Sequence, residues 1–259
     1  MSRFLSLLYG TVCYVMFLGV FLYAIGFVGN FPLPKTIDSG AVGSFGISLL
    51  IDLVLLGLFA VQHSVMARPG FKQWWTRMVP EQIERSTFVL MTNLILILLF
   101  WQWRPLPDYV WSTESDIVAT ILIVLSWAGW GIVLVGTFLI DHFDLFGMRQ
   151  VVLYFQGEEY THVEFVKRGF YKYVRHPLML GFIIAFWATP DMSIGHLLFA
   201  VATTGYIILA IQLEEKDLIS VHGDDYDSYR SEVSMLFPLR FGGNGGAAVV
   251  ESPASSENE

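Results

Sequence analysis

Long apolar segments are the feature that most limits what this chain can fold into. An α-helix needs about 20 mainly apolar residues to cross a lipid bilayer. Only 15% of the residues are charged and 54% are hydrophobic, whereas soluble proteins have roughly 25% charged residues. We therefore predict an all-α integral membrane protein with about five transmembrane helices. The long apolar segments cover residues 4–28, 43–66, 86–103, 117–140 and 193–213.

A shorter apolar segment precedes the last long one. Residues 178–189 would form a helix about 18 Å long, too short to cross a hydrocarbon core of roughly 30 Å. Pro190–Asp191 marks a turn before residues 193–213, so we expect a helical hairpin. If its arms share that turn, the corner at Arg175–Pro177 lies about 13 Å deeper than the end of the longer arm. Non-helical backbone at that depth requires protein or water around it, which predicts a recessed pocket.

Basic residues are concentrated in alternate loops. The loops at residues 67–85 and 141–177 are rich in Lys and Arg, whereas the loops on the other side have one basic residue each, Lys35 and Arg104. Cytoplasmic loops carry the excess of Lys and Arg, so we predict that both termini and the pocket face the cytoplasm. The basic residues behind this prediction are Arg68, Lys72, Arg77, Arg85, Arg149, Lys167, Arg168, Lys172, Arg175, Lys216, Arg230 and Arg240.

We interpret residues 1–240 as a single domain, with the chemistry concentrated in a core at about 141–240. Residues 241–259 are rich in Gly, Ser, Glu and Asn and poor in apolar residues, so we expect a disordered tail. The net charge of −8 argues against a nucleic-acid partner. A single cysteine, Cys13, excludes an internal disulfide, and the six His show no metal-binding spacing. No metal site is predicted.

The predicted corner between the two unequal arms brings opposite charges together. Arg175 and His176 precede Pro177, which favours the first position of a helix. A helix start and an Arg both suit a carboxylate or phosphate. Glu214 and Glu215 end the returning helix, where a cation or a ribose would suit them. A pocket with both features fits a ligand that carries a carboxylate and an ammonium group.

Three further polar residues lie at predicted helix ends on the same side. His63 lies in Gln62–His63–Ser64 near the end of the second helix, Arg85 begins the third, and His142 follows the fourth. A His within apolar sequence is costly unless it faces a cavity or a partner. Each of these residues is a candidate for chemistry, and each has a plain alternative as a polar contact between helices.

The motif around this corner resembles that of the isoprenylcysteine carboxyl methyltransferase and phospholipid methyltransferase group. The shared pattern is Gly169-x-Tyr171-x-x-x-Arg175-His176-Pro177-x-x-x-Gly181, with Glu214–Glu215 at the end of the next helix. Leu180 stands about where that group usually has an aromatic residue. The strings Gln62–Pro69, Glu84–Thr87 and His142–Gly147 are more specifically similar to the bacterial methanethiol S-methyltransferase family, itself similar to NnrU-like membrane proteins.

The resemblance implies an S-adenosylmethionine-dependent enzyme of the bacterial inner membrane that methylates methanethiol, a small thiol, to dimethyl sulfide. For the reaction itself, the predicted helix-end positions around the pocket make His63 the favoured base and Arg85 the favoured stabiliser of the thiolate, with His142 a further catalytic candidate. The oligomeric state is left open. The cofactor-binding residues that the resemblance implies are Tyr171, Tyr173, Arg175, His176, Pro177, Leu178, Gly181, Glu214 and Glu215.

Other functions remain open at this point. A related methyltransferase would act on a prenylcysteine carboxylate, a phospholipid amine or a larger thiol, which needs a wide lateral opening for a lipid tail. An NnrU-like accessory membrane protein would bind no S-adenosylmethionine. A transporter would also carry intramembrane polar residues, but the sequence shows no pair of broken helices in corresponding halves.

Overall fold

The computed structural model of the protein describes residues 1–161 and 169–238, which are mainly helical. Five helices are long and apolar enough to cross a membrane, which confirms the predicted all-α membrane architecture. Residues Lys167, Arg168 and Arg240 and the expected tail at 241–259 lie outside the described residues. The five helices are α1 (Arg3–Val28), α2 (Phe45–Ala67), α4 (Glu84–Gln102), α5 (Asp116–Ile140) and α9 (Ile194–His222).

Shorter elements fill the connections between these helices. Ser side chains cap three of the long helices at Ser2, Ser115 and Ser193 by accepting a backbone N–H of the first turn. Two strands, β1 (Tyr109–Ser112) and β2 (Asp191–Ser193), pair antiparallel. The short helices are α3 (Pro69–Trp75), α6 (His142–Leu145), α7 (Met148–Gln156), α8 (Pro177–Trp187) and α10 (Asp224–Glu232).

The predicted hairpin of α8 and α9 is present, but its arms do not share a turn. Residues 188–190 are non-helical, and β2 follows them before α9 begins. Trp187 Nε1 donates to Thr204 Oγ1 at 2.9 Å, whereas the carbonyl of Phe186 lies 2.8 Å from His196 Nε2 near the start of α9. The connection between the two arms is therefore a strand preceded by non-helical residues and not the tight turn that the prediction assumed.

The level of the corner follows from the contact of His176 with α9. His176 Nε2 lies 3.0 Å from Glu215 Oε1, which places the corner level with the acidic pair of α9. The longer arm continues to His222 instead of ending at residue 213, and this extra length projects about 10 Å beyond Glu215. The corner thus lies about 10 Å short of the end of α9, and the recessed pocket expected there stays a prediction.

Helix α8 packs closely against α5 through two glycines. A Cβ at Gly129 would lie 2.6 Å from the backbone nitrogen of Ala185, and one at Gly181 would lie 2.8 Å from the carbonyl oxygen of Gly129. Only residues without a side chain permit this separation. Large apolar side chains of several helices form the main core, among them Phe27, Leu99, Trp103, Trp130 and Phe199.

The helix ends are collected at two ends of the bundle. We call one the site end, because it holds the ends of α2 and α9, joined by Arg68 and Asp217 at 2.8 Å, and the corner before α8. The paired strands lie at the opposite end, beside Trp103, whose Nε1 donates to the carbonyl of Ile37 at 3.0 Å. That the site end faces the cytoplasm stays a prediction.

Candidate active site

The corner at Arg175 and His176 is held by a buried carboxylate of α9. Glu215 Oε1 accepts hydrogen bonds from Arg175 Nε at 2.8 Å and His176 Nε2 at 3.0 Å, and its Oε2 lies 3.1 Å from Arg230 Nε. Arg175 Nη1 also donates to the backbone carbonyls of Arg230 and Val233. Arg175 and Glu215 therefore satisfy each other, and an external carboxylate would compete with this pairing for Arg175.

The segment that follows α10 closes over the same corner. The backbone N–H groups of Arg175 and His176 donate to the carbonyls of Ser234 and Met235 at 2.9 and 3.1 Å. Together with the side chain of Arg175, these bonds tie the C-terminal segment to the start of α8. We call residues 224–236 the strap.

The two adjacent acids of α9 lie in different surroundings. The Glu215 side chain is 7% exposed, whereas that of Glu214 is 47% exposed and its Oε2 lies 3.7 Å from His176 Nδ1. Tyr171 is a further neighbour: burial, with the charge of Glu214 adding to it, raises the pKa of the Tyr171 phenol, so that hydroxyl keeps its proton at neutral pH. Glu214 is thus the acid with an accessible carboxylate.

The remaining predicted cofactor residues lie elsewhere around the corner. Pro177 is buried at the start of α8. Leu178 and Gly181 face α5, where Leu178 lies against Gly136 and Gly181 against Gly129. Tyr173 is 69% exposed on the surface. The structure therefore does not bring Leu178 and Gly181 together with Glu214, and it gives both a packing role between helices.

His63 lies on α2 against α4, and one of its ring nitrogens is available. Its Nδ1 is 3.4 Å from Thr92 Oγ1, and that hydroxyl donates its proton to the carbonyl of Phe88 at 3.0 Å. Thr92 must then accept from His63 Nδ1–H, which assigns the lone pair to Nε2. Among the described residues Nε2 has no hydrogen-bond partner. The ring stacks on Phe59 at 5.3 Å and lies 5.0 Å from Phe88.

Arg85, at the start of α4, is bound to a buried carboxylate. Its Nη1 donates to both a side-chain and the backbone oxygen of Asp144, which is 5% exposed. The same carboxylate accepts from the Tyr160 hydroxyl at 2.9 Å and contacts Arg149 Nη1 at 3.3 Å. Burial raises the pKa of Tyr160 to about 12, so it stays a donor. Two guanidinium groups face the Asp144 carboxylate, and Asp141, whose Oδ1 accepts from the Asp144 backbone N–H at 2.9 Å, adds a second acid beside them.

His142 is buried between α1 and α5 with both ring nitrogens in use. Thr137 Oγ1 donates to the carbonyl of Leu134 and lies 2.8 Å from Nδ1, so it accepts from Nδ1–H. Nε2 then accepts from the Tyr14 hydroxyl at 2.8 Å. Burial lowers the pKa of His142, so the ring is neutral. This arrangement fits the alternative interpretation, a polar contact between helices, better than a catalytic base.

Contacts between α2 and α9 place the His63 ring, through Phe59, next to Tyr206 of α9. Ser64, the next residue on α2, has its hydroxyl 3.3 Å from that of Tyr206, and the ring of Tyr206 lies 5.8 Å from Phe59. Tyr206 and Glu214 are eight residues apart and share one face of α9. The candidate site therefore extends along this face from the His63 ring to the Glu214 carboxylate.

Sequence reasoning missed the residues that complete this site. Thr92, Phe59, Phe88 and Tyr206 lie inside long apolar segments, where they resemble ordinary residues of a membrane helix. The one available signal was spacing: Phe59 precedes His63 by one turn, which places both on one face of α2. No sequence pattern links α2 to the face of α9.

Close relatives of this chain are known by name. The methanethiol S-methyltransferase of Mycobacterium tuberculosis is 53% identical over 92% of this chain and 98% of the relative. The methanethiol S-methyltransferase of Crocosphaera subtropica is 54% identical over 92% of this chain and 94% of the relative. Nurim of Mus musculus is more distant, at 30% identity over 66% of this chain and 68% of nurim.

No protein-family model and no solved structure matches the chain. Each of the two methyltransferases matches 92% of the chain. The level of identity requires common ancestry. They confirm the resemblance that the motifs indicated. The chain belongs to the methanethiol S-methyltransferase family.

Proposed function

We propose that this protein transfers a methyl group from S-adenosylmethionine to methanethiol, giving dimethyl sulfide, at the cytoplasmic side of the bacterial inner membrane. The observation that carries this proposal is the match to relatives named for that activity, which covers 98% of the first of them. The geometry supports it with a basic nitrogen at His63 and an accessible acid at Glu214 on one continuous face.

The chemistry of the corner fits the methyl donor. Its ammonium group suits the half-exposed Glu214 carboxylate. Its carboxylate suits the start of α8, where the N-cap residue His176 makes no side-chain hydrogen bond to the first turn, and the Tyr171 ring suits its sulfonium. When bound, S-adenosylmethionine supplies an electrophilic methyl group. Arg175 serves as a positioning residue, because its pairing with Glu215 fixes the corner.

The acceptor side is built around His63. A thiolate is a far better nucleophile than a thiol, so the Nε2 lone pair takes the thiol proton while Thr92 holds Nδ1–H and thereby the tautomer. A bond forms between the thiolate sulfur and the methyl carbon, and the bond from that carbon to the donor sulfur breaks. Arg85, one turn before Phe88 on α4, favours the anion through its own positive charge. Phe59 and Phe88 limit the size of the acceptor.

Two His variants test the assignment of the base. We expect His63→Gln to lower kcat for dimethyl sulfide formation by about 10²–10⁴, with unchanged binding of S-adenosylhomocysteine measured by calorimetry. His142→Gln removes a second buried imidazole and is the matched control, which should keep most of the turnover. Full turnover of His63→Gln at neutral pH would exclude His63 as the base. A folded wild-type protein that binds no S-adenosylhomocysteine would contradict the cofactor.

An acceptor panel separates the proposed reaction from its alternatives. Methanethiol, a long-chain alkanethiol, a farnesylated cysteine and phosphatidylethanolamine are supplied to the reconstituted wild-type enzyme with labelled S-adenosylmethionine. Label transfer to methanethiol in preference to the other three supports the proposal. Preferential transfer to the farnesylated cysteine or to the lipid would replace methanethiol as the substrate.

A further inference from the structure

A cavity of about 270 Å³ opens beside α9 at the site end, on the outer side of the Glu215 carboxylate that holds the corner. On a helix with 3.6 residues per turn, its four α9 residues form one face, and Glu214 points to nearly the opposite side. The cavity is therefore separate from the face that joins His63 and Glu214. Its lining residues are Gln212, Glu215, Lys216, Ile219 and Arg230.

The same face of α9 continues towards the other end of the bundle as an exposed apolar stripe. Val201 is 52% exposed, Ile208 38% and Leu209 61%, and all three project to the side on which Gln212 and Lys216 lie. In a membrane-spanning helix, exposed apolar side chains contact the acyl chains of lipids. The cavity thus lies at the end of a surface that lipid covers.

Its depth matches that of lipid headgroups. A hydrocarbon core of roughly 30 Å takes about 20 helical residues, which counted from Ile194 end at Leu213. The polar lining, from Gln212 onward, therefore begins at the boundary of the hydrocarbon. A cavity at this level is open to the phosphate groups of the leaflet.

The charges of the cavity favour an anion. Lys216 has neither an acidic partner nor a hydrogen-bond acceptor among residues 1–161 and 169–238. Arg230 contributes a second cation, 48% exposed in its side chain, which contacts Glu215 at 3.1 Å and Asp227 at 3.9 Å. Among the described lining residues the one acid is Glu215, which Arg175 and His176 also bind. We propose that this cavity binds the phosphate of an anionic phospholipid, whose acyl chains lie along the stripe of Val201, Ile208 and Leu209.

The cavity is linked to the corner by ion pairs between side chains. Arg230 belongs to the strap and contacts Glu215, which in turn holds Arg175 and His176. A phosphate held by Lys216 and Arg230 would fasten the strap to α9. We therefore expect anionic lipid to stabilise the folded protein at this end.

The test uses the full chain in nanodiscs of phosphatidylcholine, with or without phosphatidylglycerol. Wild-type protein should unfold at a higher temperature with phosphatidylglycerol, and Lys216→Gln should lose most of that shift. Native mass spectrometry should show phosphatidylglycerol binding to Lys216→Gln weakened about fivefold, since one basic residue near an anionic membrane contributes roughly 1 kcal/mol. Arg77→Gln removes another exposed cation and should behave like wild type, and Lys216→Arg should restore the shift.

Two results would overturn the proposal. One is an equal response of wild type, Lys216→Gln and Arg77→Gln to phosphatidylglycerol, which would indicate a diffuse effect of surface charge. The other is an equal stabilisation by soluble glycerol phosphate, which would assign the cavity to a free phosphate. Because the readouts are lipid binding and thermal unfolding, a failure of the proposed methyl transfer leaves this test intact.

Discussion

Arg175 Nε lies 2.8 Å from Glu215 Oε1, and both side chains are less than a tenth exposed. This pair joins the start of α8 to α9 and, through the carbonyls of Arg230 and Val233, to the strap. Removing one partner of a buried ion pair leaves the other charge uncompensated, which is strongly destabilising. The neighbouring acid, Glu214, does not belong to a buried ion pair, because its carboxylate is half exposed.

The two adjacent acids should therefore respond differently to the same substitution. Glu215→Ala should lower the free energy of unfolding by about 3–5 kcal/mol. Glu214→Ala should change it by less than about 1 kcal/mol and weaken S-adenosylhomocysteine binding by about 10–100-fold, the strength of a charged hydrogen bond. Denaturation in detergent and calorimetric titration measure the two effects. Unchanged affinity of Glu214→Ala would remove Glu214 from the cofactor site.

Thr92 should act on catalysis through His63 alone. Thr92→Val keeps the shape of the side chain but removes the acceptor for His63 Nδ1–H, so the proton can move to Nε2 and block the base. We expect kcat to fall about tenfold or more with little change in KM, and Thr92→Ser to restore most of it. A Thr92→Val enzyme with wild-type kcat would contradict the tautomer assignment.

Much of the fold was predictable from the sequence, because membrane helices are specified by length and apolarity. The five spans, the short arm and its Pro177 start all follow from those two properties. The error at the hairpin arose because β2 and the non-helical residues before it carry no signal that distinguishes them from a tight turn. The pairing of β2 with β1, which is distant in sequence, replaces the tight turn between the arms.

The candidate site was predictable only in part, for a physical reason. Charged residues at helix ends are visible in a sequence, and Glu214 and His176 do meet there. The strap decides which acid is free. Arg230 binds Glu215, and the carbonyls of Arg230 and Val233 accept from Arg175. Likewise, only the contacts of His142 exclude it as a base. Thr137 accepts from its Nδ1–H, and its Nε2 lone pair already accepts from the Tyr14 hydroxyl.

The close approach of α5 and α8 predicts a contrast between two glycines of one helix. Gly129→Ala would place a Cβ 2.6 Å from Ala185 N and 2.7 Å from Gly181 O, so backbone must move apart. We expect a loss of about 1–3 kcal/mol in the free energy of unfolding. Gly131→Ala meets no atom within 4 Å and should be neutral or stabilising by up to about 1 kcal/mol. Equal effects of both variants would mean that this contact is not tight.

His142 should make stability depend on pH in a defined direction. Burial holds the pKa of the folded imidazole below its ordinary value, so the unfolded chain binds the proton more readily. The contribution of His142 is therefore complete above about pH 6.5, the usual His pKa, and is lost as the pH falls towards the lowered pKa. Tyr14 and Thr137 hold the neutral ring on its two sides, and a second proton on Nε2 would disrupt the bond from Tyr14.

The measurement compares unfolding temperatures of wild type and His142→Gln at about pH 8 and about pH 5.5. Wild type should be the more stable protein at the higher pH, and its advantage should shrink at the lower pH, because only wild type has this proton to take up. The other histidines titrate alike in both proteins, so the difference isolates His142. An advantage that is the same at both pH values would mean that the folded and unfolded pKa of His142 coincide, contrary to its burial between α1 and α5.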